Sequence, residues 1–385
     1  MSYHLIAGSP PSHPTCFCFP SQPPYVEYIH RKMAASKEYK TLTAACHCQS
    51  VHFTVTVPGD ALPLDIHLCH CSVCRHTHGA LCSFHAPLPK DIRPEFISPS
   101  SLDKLTPYTY PQSKSTRFFC SKCGCHIGDR DHADGRWMIS SAIFDRSGDE
   151  SVWQINSHIY TNGSTKTGLF EFVSQIEGRE ITISNSEKQN KETAIQDNSK
   201  APQCDDRSLR AECHCGGVSF TISRPGRDFV QDPANRKWVL EGKEDKWLGA
   251  LDVCDDCRLV SGANVAAWMF VPVNHISPSP PESLLIGSSK SYSSSDGVVR
   301  TFCGTCGAVV FYSCNDRPGI VDVAVGILQD PKSVLAESWV VWRTGRIAYL
   351  EDGLRYNGGF TKSLDEGLKK WGKERYGTLE YFKVG

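Results

Sequence analysis

The chain has no surplus of charge of either sign. Its 385 residues carry 41 Lys and Arg against 42 Asp and Glu, a net charge of −1, so no global positive field draws it to nucleic acid or acidic lipid. No basic stripe stands out. Long apolar runs are missing too: none approaches the ~18–20 residues of a membrane span. The N-terminus shows no apolar segment behind a basic start, because Pro10, Pro11, Pro14, Pro20, Pro23 and Pro24 interrupt it. These absences make a cytoplasmic location the expectation, with neither a membrane nor a direct nucleic-acid partner. Helical periodicity is scarce until the C-terminus. Cysteine is also too sparse for a disulfide scaffold. The 19 cysteines are about 5% of the chain, below the ~8–10% of such proteins, and the total is odd. In a reducing compartment paired cysteines read as metal ligands.

The cysteines follow one pattern, written twice. The first copy is Cys46-His47-Cys48, then Cys69-His70-Cys71-Ser72-Val73-Cys74-Arg75, then Phe119-Cys120-Ser121-Lys122-Cys123-Gly124. The second is Cys213-His214-Cys215-Gly216, then Asp252-Val253-Cys254-Asp255-Asp256-Cys257-Arg258, then Phe302-Cys303-Gly304-Thr305-Cys306-Gly307. Cys74 to Cys120 and Cys257 to Cys303 are both 46 positions. Such a register marks a duplicated metal-binding domain.

After each CxC, apolar and polar residues alternate: Val51, Phe53, Val55 and Val57 in one copy, Val218, Phe220 and Ile222 in the other. This period of two predicts half-buried strands. Further strands are expected at Cys82–Ala86, Trp137–Phe144, Ala266–Pro272, Val309–Tyr312 and Ile320–Leu328. Leu364, Leu368 and Trp371 then suggest one C-terminal helix, with Ser363 as its N-cap. The fold class is therefore mainly β. Residues 1–40, rich in Pro and Ser, read as a disordered leader holding the isolated pair Cys16 and Cys18. Met33 is a plausible alternative start. The first domain is placed at 41–184, a polar linker at 185–207 and the second domain at 208–385. An insertion around 227–247 is expected to form a surface loop. Six tryptophans, Trp137, Trp153, Trp247, Trp268, Trp339 and Trp342, are expected to pack cores and sheet faces.

Tetrahedral zinc takes four soft ligands. A CxC pair and a CxxC pair supply them, so Cys46, Cys48, Cys120 and Cys123 form one expected closed site, and Cys213, Cys215, Cys303 and Cys306 its twin. Gly124 and Gly307 can take the positive φ of a knuckle turn. Cys69, Cys71 and Cys74 have no fourth cysteine in register. Three ligands leave zinc one position open, as in a catalytic site. Arg75 follows at once and can balance charge or grip an anion. The alternative is that Cys82, Cys125, His70, His76 or His78 closes this site, or that its thiols are unmetallated. In the second copy Asp252 replaces the first ligand beside Cys254 and Cys257. That set can hold metal through a carboxylate, but degeneration after duplication is the simpler reading, with one competent site in copy one.

These motifs resemble those of the glutathione-dependent formaldehyde-activating enzyme family, which includes the centromere protein V group. The residues in question are CxC with Val51 and Phe53 or Gly216, Val218 and Phe220, the CxCxxCR run with Gly79 or Gly262, and FCxxCG. The resemblance covers roughly residues 41–183 and 208–360. It implies tandem zinc-pinned β-tent domains, with the CxCxxC zinc as the working one. It also implies a carbon–sulfur lyase joining a small thiol (glutathione) and a small aldehyde (formaldehyde), with Cys69, Cys71 and Cys74 at work and Arg75 balancing charge. Two positions depart from the pattern: Gln49 stands for Gly and Asp252 for Cys. Two other classes remain beside the enzyme, a zinc-stabilised module for a protein partner and a thiol redox sensor.

Overall fold

The computed structural model describes residues 38–145, 148–162, 167–185 and 206–383. The leader to residue 37, with Cys16 and Cys18, and the linker from 186 to 205 lie outside the described residues.

The alternation after each CxC produces a hairpin. His52–Pro58 turns Phe53, Val55 and Val57 inward and pairs antiparallel with Tyr39–Ala45, with Ala45 opposite His52. The residues between the two strands are the CxC turn. In the second repeat Ser219–Ser223 pairs with Ser208–Glu212 in the same way, Glu212 facing Ser219. A two-residue strand completes each small sheet, Glu95–Phe96 in the first repeat and Ile276–Ser277 in the second.

Each repeat then builds a larger sheet. The first has eight strands in the order Thr182–Ser184, Trp153–Ile159, Leu64–Cys69, Ser83–Pro87, Trp137–Ser140, His126–Asp131, Ser115–Cys120 and Leu105–Tyr108. The second has seven: Ser289–Ser295, Val298–Cys303, Val309–Cys314, Ile320–Ala324, Ala266–Pro272, Trp247–Asp252 and Val340–Trp342. In both, the strand leading to the CxCxxC or DxCxxC motif has one parallel neighbour, Trp153–Ile159 or Val340–Trp342. Ala266–Pro272 is buried at every position, which explains its continuous apolar run.

The protein is mainly β, and the strands expected at Cys82–Ala86, Ala266–Pro272 and Val309–Tyr312 are present as Ser83–Pro87, Ala266–Pro272 and Val309–Cys314. Trp137–Ser140 and Ile320–Ala324 end earlier than their apolar runs, which continue as 3-10 turns at Ser141–Ile143 and Val325–Ile327. All six tryptophans named above are buried.

The α-helices among the described residues are α1 (Ser72–His78), α2 (Arg227–Gln231), α3 (Asp255–Ser261), α4 (Leu350–Tyr356) and α5 (Gly358–Tyr376). Two details differ from expectation. The insertion contains α2 and a 3-10 turn, Pro233–Trp238, whose Trp238 is buried. The N-cap of α5 is Asn357, whose side chain accepts from the Phe360 N–H; Leu364, Leu368 and Trp371 do form its buried face. An asparagine oxygen caps as well as a serine hydroxyl, and its earlier position adds the turn that carries Phe360.

Residues from Tyr39 onward make one compact unit in which the repeats interlock reciprocally. Gly79, at φ +70°, meets Val309 of the second repeat so closely that an added Cβ would lie 2.3 Å from its carbonyl oxygen. Gly262, at φ +72°, meets His126 of the first repeat at the same 2.3 Å. The α5 helix reaches across to the first repeat, where Phe360 packs on Phe84 and Trp371 on Phe172.

Candidate metal centres

Two four-cysteine sets pin the small sheets to the large ones. Cys46 and Cys48 leave the first hairpin, Cys120 ends a strand of the large sheet and Cys123 follows in the knuckle. The four sulfurs lie within 4.8 Å of one another, as do those of Cys213, Cys215, Cys303 and Cys306. Neighbouring sulfurs are 3.5 and 3.6 Å apart in the first set, and 3.5 and 3.4 Å in the second. Four sulfurs at ~2.3 Å around a tetrahedral zinc would be ~3.8 Å from each other. The donor sets therefore fit a closed tetrahedral metal, and all eight thiols are unbridged.

Local geometry follows from the sequence. Gly124 and Gly307 take φ +81° and +84°, and their N–H groups close the knuckles onto Cys120 and Cys303, each at 2.9 Å. Gln49 occupies the left-handed region at φ 55°, as Gly216 does at 72°; the substitution kept the turn at the cost of strain. N–H groups point at sulfur as well: Val51 to Cys46 at 3.4 Å and Val218 to Cys213 at 3.3 Å.

The other two sets have three donors each. Cys69 ends the strand Leu64–Cys69, Cys71 caps α1, and Cys74 lies in its first turn, donating its N–H to Cys71 Sγ at 3.3 Å. Cys69 and Cys71 sulfurs are 3.5 Å apart. None of Cys82, Cys125, His70, His76 and His78 places a donor in this group, so three ligands remain three among the described residues. Cys71 and Cys74 are buried and Cys69 is partly exposed. Tyr110 and Tyr160 pack around them. Without metal, the Cys74 thiol lies well below the ordinary range. The neighbouring Cys69 and Cys71 lower it most, and the Arg117 charge adds to them.

In the second repeat Asp252, Cys254 and Cys257 occupy the same places at the end of a strand and the start of α3. Asp252 accepts the Cys254 N–H at 2.8 Å. Burial raises its carboxyl above the usual range.

The repeat register also pairs two residues that motif reading passed over. Arg117 and Arg300 each stand three positions before the first knuckle cysteine. Arg117 Nη2 is 3.9 Å from Cys74 Sγ, and Arg300 Nη1 is 3.4 Å from Cys257 Sγ. Arg75, expected to balance the thiolates, lies on α1, where its charge bears on His70 and His76. Its counterpart Arg258 turns away from the sulfurs, donating to the Ala142 carbonyl and ion-pairing with Asp255.

The first repeat adds a buried polar chain. Asp129 lies 3.8 Å from Arg117 Nε and 3.4 Å from His85 Nδ1. His85 and His78 approach through their Nε2 atoms at 3.4 Å, and His78 Nδ1 meets the Cys74 carbonyl at 2.9 Å. At the corresponding register the second repeat has Tyr312, Trp268 and Ser261. The histidine chain therefore belongs to the first repeat alone; the second open cluster is backed instead by Arg300 and by the buried Asp322 with its partner Arg317.

Fold and sites together define a mainly β protein with two cysteine-pinned repeats, each with a closed and an open donor set. A family model described as glutathione-dependent formaldehyde-activating enzyme matches residues 41–163 and again 239–344. The chain belongs to this family. The second match starts within the insertion, leaving Cys213 and Cys215 outside it, yet the fold brings both into a set equivalent to the first. No curated protein matches the chain.

Proposed function

We propose that the protein is a zinc-dependent carbon–sulfur lyase-type enzyme. It would act on a glutathione-type thiol and a small aldehyde such as formaldehyde, at Cys69, Cys71 and Cys74. The observation that carries this reading is the open three-cysteine set, which no fourth donor among the described residues closes, in a chain of this family. A zinc ion held there would supply the positive field that keeps a substrate sulfur deprotonated. The chain's own part is to exclude water and orient. Tyr110 and Tyr160 wall the cluster, and Arg117 offsets part of the negative charge that three thiolates bring. The sulfur then adds to the aldehyde carbon.

The closed sets would hold structural zinc and fix the sheets that position the open set. In the second repeat the Asp252 set lacks one thiolate, and we assign it no catalysis. Reduced thiols throughout the described residues suit a cytoplasmic protein.

Zinc content by plasma emission tests the reading. Wild type should carry about three or four zincs, and a Cys71→Ser/Cys74→Ser variant one fewer, since one three-cysteine set binds one ion. The variant should also lose zinc-dependent thiol binding. Two zincs in both proteins would leave only the structural sites and turn the reading toward a protein-binding module.

A further inference from the structure

Arg117 is 7% exposed and stands against the first open cluster. One terminal nitrogen, Nη2, faces Cys74 Sγ at 3.9 Å. Nε faces Asp129 Oδ1 at 3.8 Å, and Asp129 is itself braced by His85. The Tyr110 ring lies 5.8 Å from the guanidinium carbon. Nε and the other terminal nitrogen, Nη1, are both buried without a hydrogen-bond partner among the described residues, and Nη1 has no ion-pair neighbour there either. A buried guanidinium N–H without an acceptor is costly, and the planar group is pre-organised to take a second oxygen.

The counterpart of Arg117 in the second repeat has no such vacancy. Arg300, at the same register, gives Nε to Ser294 Oγ at 3.0 Å and Nη1 to Cys257 Sγ at 3.4 Å, and stacks over Tyr312. None of its nitrogens is among the unpartnered buried atoms. The free donor thus belongs to the one cluster that has three thiolates and an open position.

We propose that Arg117 is the oxyanion-binding group of the first site, its Nη1 receiving the oxygen of the aldehyde carbonyl. This rests on reading that cluster as the thiol–aldehyde site. As the thiolate sulfur bonds to the carbonyl carbon, the C=O π pair moves to oxygen. Nη1 donates to that oxygen, and the proton released by the thiol completes the hydroxyl of the adduct. A preorganised donor is worth most where charge develops. Asp129 and His85 are then positioning residues, because they hold the guanidinium rather than touch the substrate.

Formate is the probe, a small planar oxyanion of the aldehyde's size. Its affinity for the zinc-loaded full chain is measured by calorimetry, with zinc content and melting temperature recorded for each variant. Arg117→Gln should weaken formate binding roughly tenfold or more, the range for a lost charge-assisted hydrogen bond, with zinc content unchanged. Arg117→Lys keeps the charge beside Asp129, and should fold as wild type while losing an intermediate share. Arg136→Gln, on an exposed arginine paired with Asp134, controls for net charge and should bind as wild type. Adduct formation followed by NMR should fall in kcat for Arg117→Gln with little change in the KM for thiol. Formate binding that is absent in wild type, or equal in wild type and both Arg117 variants, overturns the inference whatever the activity. If wild type makes no adduct but formate binding depends on Arg117, the thiol–aldehyde reading fails and Arg117 stands as an oxyanion site.

Discussion

Cys74 and Cys257 show how much one neighbour changes a site. Both sit in the first turn of a seven-residue helix, three positions after a capping cysteine, with a strand arginine at the sulfur. They differ in the first ligand, Cys69 or Asp252, and in what lies behind. His78, His85 and His126 crowd the first repeat, His78 and His126 stacking at 3.9 Å between ring centres. Burial lowers the His126 imidazole to about 4 from an ordinary 6.5, with the His85 charge adding to it. A base whose folded pKa is depressed refuses a proton that the unfolded chain accepts. Its contribution to stability is intact above pH 6.5 and is lost as pH falls toward 4. His126→Gln should therefore unfold less steeply with acid across that window, gaining up to about 3 kcal/mol relative to wild type by the lower end. Urea midpoints at several pH values measure it, and parallel curves for the two proteins would refute it. The cysteine clusters were legible because their spacing repeats in a fixed register. Arg117 carried the same kind of signal, since Arg300 stands at the matching position. It was passed over because arginine three residues from a cysteine belongs to no ligand pattern until the strand folds it back onto Cys74.

At the scale of elements, α1 and α3 are each only seven residues and depend on their ends. A cysteine sulfur caps the start. A left-handed glycine, Gly79 or Gly262, ends the helix and lets the other repeat's backbone approach. These are two separate demands on one residue, and a comparison separates them. Gly135 has the same left-handed φ of +73° but open space where a Cβ would be. Gly135→Ala should cost about 1 kcal/mol, the conformational term alone. Gly79→Ala adds a methyl 2.3 Å from the Val309 carbonyl oxygen, and should cost about 3 kcal/mol or more as the repeats are forced apart. Equal losses of chemical stability for the two variants would mean the interface yields freely. Strand alternation was readable because one face of each hairpin is buried. The two short helices were not, because their few residues are dominated by cysteine spacing rather than by apolar period. The Asn357 cap of α5 was displaced for a related reason: the apolar triad that reveals the helix starts a full turn and more after its first residue.

Across the whole molecule, each closed set touches the helix of the opposite open set. The His214 N–H donates to the His76 carbonyl at 3.1 Å, and the His47 N–H to the Leu259 carbonyl at 3.2 Å. The two rings repeat the exchange. His214 Nδ1 meets Tyr108 Oη at 2.6 Å and its ring centre lies 4.7 Å from that of Tyr110, while His47 meets Tyr292 Oη at 2.6 Å and Asp256 at 3.2 Å. Both histidines are the middle residue of a CxC, so the sequence contains the pair. It could not show the destination, since the contacts join residues more than a hundred positions apart and form only when the repeats interlock. The consequence is directional. His214 is held by the second repeat's closed set and braces Tyr110, a wall of the first open cluster. His214→Ala keeps every metal-ligand cysteine, yet it should speed chelator extraction of zinc from the first open site severalfold, the size of about one lost buried hydrogen bond. It should also lower thiol affinity there. His47→Ala, acting on the Asp256 side of the second repeat, should leave first-site extraction unchanged. Stopped-flow competition with a chromogenic chelator, on full-length chains, reads both. Identical extraction kinetics in His214→Ala and wild type would reduce the interlock to packing. A selective effect would give the second repeat a role despite its altered open set: its closed set braces the three-cysteine cluster of its twin.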